Sequence, residues 1–211
     1  MVEIEYKGGN TVVISTKKSK LVTDPKLSVV GLKDYSIKDS IELATEARLA
    51  LNSSEAMLSI EGPGEYEVAD FSIRGVSARR HIDAPDQGKL TTVYRIEVED
   101  VRIALIGNVD GKLNEEQQEA LGVLDIAIIP VGGGGYTLDA TSAAALARSI
   151  DAKIVIPVHY SDSALKYEVP QDDLEVFKKE FGGEVEQTSR YKIKTASALP
   201  QTSTIIELTR S

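Results

Sequence analysis

The sequence predicts an α+β protein built from layers of sheet and helix. Two apolar runs, residues 126–131 and 154–158, flank a run of four glycines and a helical stretch. This pattern favours two parallel buried strands joined by a crossover helix. Predicted strands are followed by a predicted helix once in each half of the chain. Two such halves packed face to face would form a four-layer αββα sandwich, although the pattern alone also fits other α+β arrangements.

The first half of the chain consists mainly of predicted strands. Residues 2–6 and 11–15 flank a turn at residues 7–10, which indicates an opening hairpin. Residues 46–51 favour a short helix, and residues 78–90 form a predicted polar loop. Alternating or β-branched runs predict further strands at residues 20–23, 40–45, 56–60, 71–76, 91–98 and 101–106.

The second half carries most of the helix signals. Asn114 is a predicted N-cap whose capping box is completed by Gln117, and the helix is predicted to end at Gly122. Asp139 is the predicted cap of a central helix over residues 140–150. The other predicted elements are a helix with Leu174, Phe177 and Phe181 on one face, and closing strands at residues 189–194 and 202–208. No Pro-, Gly- or Ser-rich linker separates these elements, so we expect one domain over residues 1–211.

Composition excludes several classes of site and partner. The net charge of −9 makes nucleic acid and anionic membranes poor partners, because both bind positive surfaces. The chain has no cysteine, which excludes disulfides and thiolate metal sites. No apolar run is long enough to span a bilayer, and the first ten residues lack the apolar core of a signal peptide. We therefore expect a cytoplasmic protein.

Five short motifs resemble a known family. Taken together and in this order, they are similar to the metallo-β-lactamase superfamily, in the branch related to L-ascorbate-6-phosphate lactonase. The resemblance covers roughly residues 2–160. The motifs are VTDP at residues 22–25, GPGEYE at 62–67, VRIALIG at 101–107, PVGGG with a following YT at 130–137, and IPVHY at 156–160.

The resemblance implies an αββα fold with one or two divalent metals, usually zinc or manganese, in a cleft between the sheets. In the family, histidines and carboxylates hold the metal, and a bound hydroxide attacks an ester, lactone or phosphoester. A metal of this kind lowers the pKa of its bound water to about 7. Because relatives of the lactonase branch assemble, the resemblance also implies a homo-oligomer.

The family's main metal-binding loop, His-x-His-x-Asp-His, is missing from this sequence. Alignment on residues 43–45 places Glu46 and Arg48 at the first two histidine positions. Ala50 falls at the aspartate and Leu51 at the last histidine, and neither side chain can bind a metal. Arg48 would also place a fixed positive charge beside any dication.

The remaining family ligands are only partly present. His159 matches the final histidine ligand, and His81 matches the histidine in the loop before the second hairpin. Asn108 stands where the family has an aspartate, Asp110 lies two residues further on, and Leu105 replaces a histidine that the branch often carries. Since a catalytic zinc site needs three protein ligands and a water, we expect no dinuclear centre and no bound cofactor.

Two local readings stay open at the candidate cleft. Glu46 and Arg48 could pair across the old metal site, or they could form a solvated turn. The glycine run at residues 132–135 could cradle an anion with its N–H groups, or it could let the backbone pass close to the cleft. The cleft candidates are Asp24, Glu46, Arg48, His81, Asn108, Gly133, Gly134 and His159.

Three functional hypotheses follow. The first is a degenerate metallo-β-lactamase-fold protein that has lost its metal centre and hydrolase activity and is retained for binding or assembly. The second is a hydrolase with a single zinc or manganese on His81, His159 and Asn108 or Asp110. The third is a module that binds a small anion through the glycine run, Arg48 and His159. The sequence identifies no catalytic residue.

Overall fold

A computed structural model describes residues 1–81 and 89–211. In this part of the chain, two sheets face each other. The first has six strands in the order β13-β1-β2-β3-β4-β5, antiparallel from β13 to β3 and parallel from β3 to β5. Its strands are β1 (Val2–Gly8), β2 (Thr11–Ser15), β3 (Lys20–Thr23), β4 (Ile41–Ala44), β5 (Leu58–Glu61) and β13 (Tyr191–Ile193).

The second sheet has eight strands in the order β12-β14-β11-β10-β9-β8-β7-β6. Strands β12 to β9 are parallel along this order, and β9 to β6 are antiparallel. Its strands are β6 (Gly64–Val68), β7 (Phe71–Arg79), β8 (Leu90–Val98), β9 (Val101–Leu105), β10 (Ile126–Pro130), β11 (Ile154–Val158), β12 (Glu184–Thr188) and β14 (Thr204–Leu208).

Three α-helices in the described part of the chain pack on the outer face of the eight-stranded sheet. They are α1 (Glu115–Leu121), α2 (Ala140–Ile150) and α3 (Leu174–Phe181). The predicted capping box is confirmed, because Asn114 and Gln117 each bond the other's backbone N–H. The predicted cap of α2 is also confirmed, since Asp139 accepts a hydrogen bond from the Ser142 N–H at 2.7 Å.

Two apolar cores result from this layering. Alternate residues of both sheets, such as Ile4, Leu43, Ile96 and Ile128, fill the space between the sheets and are fully buried. The helices bury a second core against the eight-stranded sheet, with Phe177 at 0% exposure. Over the other face of the six-stranded sheet lies the segment between β3 and β4, which covers a smaller cluster. The predicted layered α+β architecture is confirmed.

Three sequence predictions about elements need correction. The segment predicted as a helix at residues 46–51 contains only a 3₁₀ turn, Ala47–Leu49, and Ala50 is extended. The buried carboxylate of Glu42 accepts the N–H groups of Leu51 and Asn52, which ties this segment to β4. Strand β6 at Gly64–Val68 is missing from the predicted strands, and the segment predicted as one strand at 189–194 contributes only β13.

Two further observations concern the predicted polar loop and the length of the helices. Of the predicted polar loop, residues 82–88 lie outside the described residues, while β7 and β8 extend into its two ends. The longest described helix, α2, has 11 residues, and within the described ranges no helix combines the length and apolarity needed to cross a bilayer.

Candidate functional site

The carboxyl ends of parallel strands in the two sheets surround a cavity of about 270 Å³. Asp24 follows β3, Arg48 lies beyond β4, and Asn108 follows β9. Tyr136 follows the glycine run after β10, and His159 directly follows β11. All five side chains line this cavity. Polar side chains that lie far apart in the chain therefore meet at the edge where parallel strands end.

Glu46 is the centre of a buried ion-pair network beside the cavity. Its Oε2 lies 2.8 Å from the Nε of Arg48 and 3.1 Å from the Nε of Arg80. Its Oε1 accepts a hydrogen bond from the Nδ2 of Asn108 at 2.7 Å. The Glu46 side chain is 4% exposed and that of Arg80 is 2% exposed. Of the two readings for Glu46 and Arg48, the structure shows the ion pair and not the solvated turn.

The network continues from Glu46 along two amide side chains. Because the Nδ2 of Asn108 donates to Glu46, its Oδ1 faces Asn10, whose Nδ2 approaches it at 3.4 Å. The backbone carbonyl of Asn108 accepts the N–H of His81 at 2.9 Å. Asn108 is therefore held at both its side chain and its backbone, and its Oδ1 already faces a donor.

Tyr136 stacks against the charged groups of the network. The guanidinium carbon of Arg48 lies 4.8 Å from the ring centroid, and that of Arg80 lies 5.9 Å from it. The ring of His159 stacks on Tyr136 with centroids 6.0 Å apart and an interplanar angle of 11°. Tyr167 packs against the same imidazole at 4.6 Å. The aromatic rings thus hold Arg48 and His159 in fixed positions in the cavity wall.

His159 is buried and positioned by its backbone and its ring. Its φ of 53° turns the chain out of β11, and its N–H donates to the Gly9 carbonyl at 2.9 Å. The Nδ1 lies 3.1 Å from the Oε1 of Gln171. Burial lowers the pKa of His159 to about 4, and the positive charge of Arg48 acts in the same direction. The imidazole is therefore neutral at physiological pH.

Asp24 is a buried carboxyl group that orients the loop after β4. Its two oxygens accept hydrogen bonds from the N–H and the hydroxyl of Thr45, each at 2.7 Å. Burial raises the pKa of Asp24 to about 7, against the lowering effect of the Thr45 hydrogen bonds, and nearby Glu46 raises it further. The carboxyl group is thus close to half-protonated at neutral pH.

The glycine run shapes the cavity without lining it through Gly133 or Gly134. A Cβ on Gly132 would lie 2.2 Å from the His159 carbonyl oxygen, and one on Gly134 would lie 2.3 Å from the Pro170 oxygen. The Gly133 N–H donates to the Leu138 carbonyl at 3.0 Å, so it is not available to an anion. The glycines let the backbone pass close to the 159–171 segment, and Gly133 and Gly134, which were predicted to lie at the cleft, are not among the residues that line this cavity.

Two other predicted site residues lie away from the cavity wall. Asp110 has a side chain that is 51% exposed and faces the Nε of Arg79 at 3.8 Å. His81 donates its backbone N–H to the Asn108 carbonyl, and it is not among the described residues that line the cavity. Among the described residues, His81, Asp110 and His159 do not form a group of three side chains that could hold a metal ion.

The described residues do not fit a metal centre. The oxygens of Glu46 are engaged by two guanidinium groups and an amide, and the Oδ1 of Asn108 faces Asn10. Across residues 1–81 and 89–211, no group of three or more His, Asp or Glu side chains could hold a metal ion. His159 remains as a single imidazole, whereas catalytic zinc takes three protein ligands.

Sequence reasoning missed several residues of the site. Neither Arg79 nor Arg80 is among the predicted cleft residues, yet Arg80 is buried against Glu46 while Arg79 is exposed. Because alternate strand residues point to opposite faces, the period of two at the end of β7 was the signal that separates them. Asn10, Tyr167 and Gln171 also line the cavity, but they carry no local sequence signal.

A known family model matches most of the chain. Residues 3–159 match the family model described as the β-lactamase superfamily domain. No curated protein matches the sequence. The match spans the N-terminal hairpin through His159, and so it includes every strand end that contributes to the cavity.

Several solved structures are similar to this chain over most of its length. A proposed Zn-dependent hydrolase of the metallo-β-lactamase superfamily from Thermotoga maritima is 21% identical, with a TM-score of 0.77 over 99% of this chain and 100% of that one. A metallo-hydrolase from Ignicoccus hospitalis is 17% identical, with a TM-score of 0.61 over 85% and 90%. A proposed metal-dependent hydrolase from Parabacteroides distasonis is 18% identical, with a TM-score of 0.62 over 85% and 87%. At these identities the likeness concerns the fold.

Proposed function

We propose a function from one premise: the chain belongs to the β-lactamase superfamily. Its fold is the αββα sandwich of the metallo-β-lactamases, as predicted. Within that superfamily, we propose that this protein is a member without a metal centre and without metal-dependent hydrolase activity, whose cavity binds a small anion. It is a binding protein on a scaffold that other members use for metal-dependent hydrolysis.

A single observation carries the proposal: the carboxylate of Glu46 lies between two guanidinium groups at the edge where the family's ligand loop would stand. Arg48 Nε at 2.8 Å and Arg80 Nε at 3.1 Å both address its Oε2. Two fixed positive charges supply the electrostatics that dications would otherwise bring, and they oppose the entry of a dication. A carboxylate in such a pair would have to give up both partners to bind a metal.

The cavity also has the chemistry of an anion site. Arg48 lines it with 22% of its side chain exposed, and among the described residues only Glu46, through Nε, accepts a hydrogen bond from it. Its terminal nitrogens can therefore address a ligand. Lys26 adds a second positive charge at the cavity wall, and Leu27, Val30 and Tyr167 add apolar surface. Asp24 and Glu168 also line the cavity, so its charged lining is mixed, and Arg48 and Lys26 are the groups that would face the anionic part of a ligand.

Metal analysis of the full-length protein tests the first half of the proposal. The protein is incubated with zinc or with manganese, dialysed, and measured by elemental mass spectrometry beside a His159→Asn variant. We expect far less than one metal per chain in both, and no change in thermal unfolding on addition of a chelator. Stoichiometric metal that the variant loses would contradict the proposal and favour the single-metal hydrolase.

Ligand titration tests the second half. Small carboxylates and phosphate esters are added singly, and binding is followed by backbone amide NMR shifts. We expect shifts at residues that line the cavity, including Arg48 and His159. If none of these anions shifts the cavity residues, the anion-binding proposal fails, whatever the metal analysis shows.

A further inference from the structure

The amide group of Gln171 has a fixed orientation. Its Nε2 donates to the carbonyl oxygens of Val169 at 3.1 Å and Pro170 at 3.4 Å. Its Oε1 faces the hydroxyl of Thr137 at 3.5 Å and the Nδ1 of His159 at 3.1 Å. Since carbonyl oxygens accept only, the reverse orientation of the amide would set oxygen against oxygen at both backbone contacts. The Oε1 of Gln171 is therefore the group that faces the imidazole.

The orientation of Gln171 fixes the tautomer of His159. An amide oxygen accepts only, so the Nδ1 that faces it must carry the ring proton. Burial keeps the ring neutral, because it lowers the pKa of His159 to about 4. A neutral imidazole with its proton on Nδ1 has an unprotonated Nε2, which accepts hydrogen bonds and does not donate them.

The Nε2 of His159 is open to a ligand. No described residue makes a hydrogen bond to it, and it is not one of the fully buried atoms that lack a partner. His159 and Arg48 line the same cavity of about 270 Å³, and both contact the ring of Tyr136. A molecule that fills so small a cavity meets both a positive charge and a hydrogen-bond acceptor.

We propose that His159 is a specificity residue whose Nε2 accepts a hydrogen bond from the ligand, and that Gln171 is the positioning residue that makes this possible. The ligand class is then a small organic anion that carries an O–H or N–H donor, with its anionic group on Arg48. This inference rests on the proposed anion-binding function. An anion of the same size without a donor leaves the Nε2 lone pair unsatisfied in a desolvated site and binds less tightly.

Matched ligand pairs test the inference on the unaltered full-length protein. Glycerate is compared with propionate, and glycerol phosphate with propyl phosphate, so that each pair differs in hydroxyl groups and the two pairs differ in the anion. We expect the hydroxylated member of at least one pair to bind about tenfold more tightly, as the loss of one hydrogen bond predicts. The better pair identifies the anionic group.

Nitrogen NMR of the imidazole rings supplies a readout that a structural role for His159 would not move. The chain has only two histidines, so a His159→Asn variant assigns the signals. Asn is chosen because it tolerates the positive φ at this position. We expect the Nδ1–H tautomer in the free protein, and a shift of the Nε2 signal with the hydroxylated anion only.

A Gln171→Leu variant tests the positioning role. Without the amide oxygen, the Nδ1–H tautomer loses its partner, and the ratio of the affinities for the hydroxylated and the simple anion falls toward one. If the unaltered protein binds the two members equally in each pair, or if its spectrum shows the Nε2–H tautomer, the inference is overturned. The anion-binding function would still stand in that case. Failure of every anion to bind would overturn both.

Discussion

The Nε of Arg80 lies 3.1 Å from the Oε2 of Glu46, and both side chains are almost completely buried. Ion pairs at the protein surface contribute little to stability. Removing one partner of a buried ion pair, by contrast, strongly destabilises the folded state. The strength of this contact can be measured, and it is the first basis for a prediction.

Substitution Glu46→Gln removes the carboxylate that the buried guanidinium of Arg80 and that of Arg48 both contact. We expect a loss of about 3 kcal/mol or more in the free energy of unfolding, measured by urea denaturation. The matched control is Glu65→Gln, whose pair with Arg74 at 3.5 Å has 78% and 53% of the side chains exposed. The control should change stability by less than about 0.5 kcal/mol. Equal losses of stability in the two variants would show that the buried ion pair contributes no more to stability than an exposed one.

Asp24 and His159 have opposite effects on the dependence of stability on pH. The folded pKa of Asp24, about 7, lies above the ordinary 3.8, so its contribution is present at low pH and is lost as pH rises through 7. The folded pKa of His159, about 4, lies below the ordinary 6.5, so its contribution is present at high pH and is lost as pH falls through 4. Between about pH 4 and 6.5 the two effects oppose each other.

Single variants should separate these two titrations. From pH 4 to 7, the stability of Asp24→Asn relative to the unaltered protein should rise, because the variant lacks the contribution that the unaltered protein loses. From pH 4 to 6.5, the stability of His159→Asn relative to the unaltered protein should fall, because the unaltered protein gains the contribution of His159 as pH rises. Each slope should approach about 1.4 kcal/mol per pH unit, the value for one proton. Urea midpoints across this range provide the measurement, and slopes of the same sign would refute the assignment.

Substitution Gly132→Ala should be more harmful than its backbone angle suggests. A Cβ there would lie 2.2 Å from the His159 carbonyl oxygen, so the segment after β11 has to move. We expect a loss of about 1–3 kcal/mol from overpacking, together with altered amide signals of His159. The control is Gly111→Ala, where the nearest side-chain atom would be 3.7 Å from the new Cβ. A neutral effect at Gly132 would mean that the close approach is not structurally required.

Substitution Arg48→Met keeps the length of the stem and removes the charge from the cavity wall. We expect anion affinity to fall by about tenfold or more, since charge-assisted hydrogen bonds are the stronger class. Arg74→Met serves as the control, because Arg74 lies outside the cavity and pairs with an exposed carboxylate. Calorimetric titration of both variants with the tightest anion gives the comparison. An equal loss in the two would indicate a general charge effect.

The regular elements could be predicted where local signals and tertiary contacts agree. The cap at Asn114 and the apolar run of β10 depend on neighbours in the chain, and both are confirmed. The failures occurred where distant groups decide. Residues 46–51 have helical propensity, yet the carboxylate of Glu42 binds the backbone of Leu51. Strand β12 (Glu184–Thr188) is polar and exposed, so its sequence shows no alternation.

The site was predictable in part. The strand-end positions of Asp24, Arg48, Asn108 and His159 follow from motif order, and all four line the cavity. Their partners come from segments whose approach depends on the whole fold. No local pattern brings Gln171 to His159, since it is the close passage of the backbone at the glycine run that sets this contact.

The shared carboxylate of Glu46 also constrains the evolutionary history available to this chain. A change at Glu46 alone removes the carboxylate that Arg48 and Arg80 share, and a histidine restored at one position meets no set of companion ligands among the described residues. An exchange between this arrangement and a metal-holding one requires changes at several positions together. We therefore expect relatives that share this network to have kept Glu46, Arg48 and Arg80 together or to have exchanged all three together.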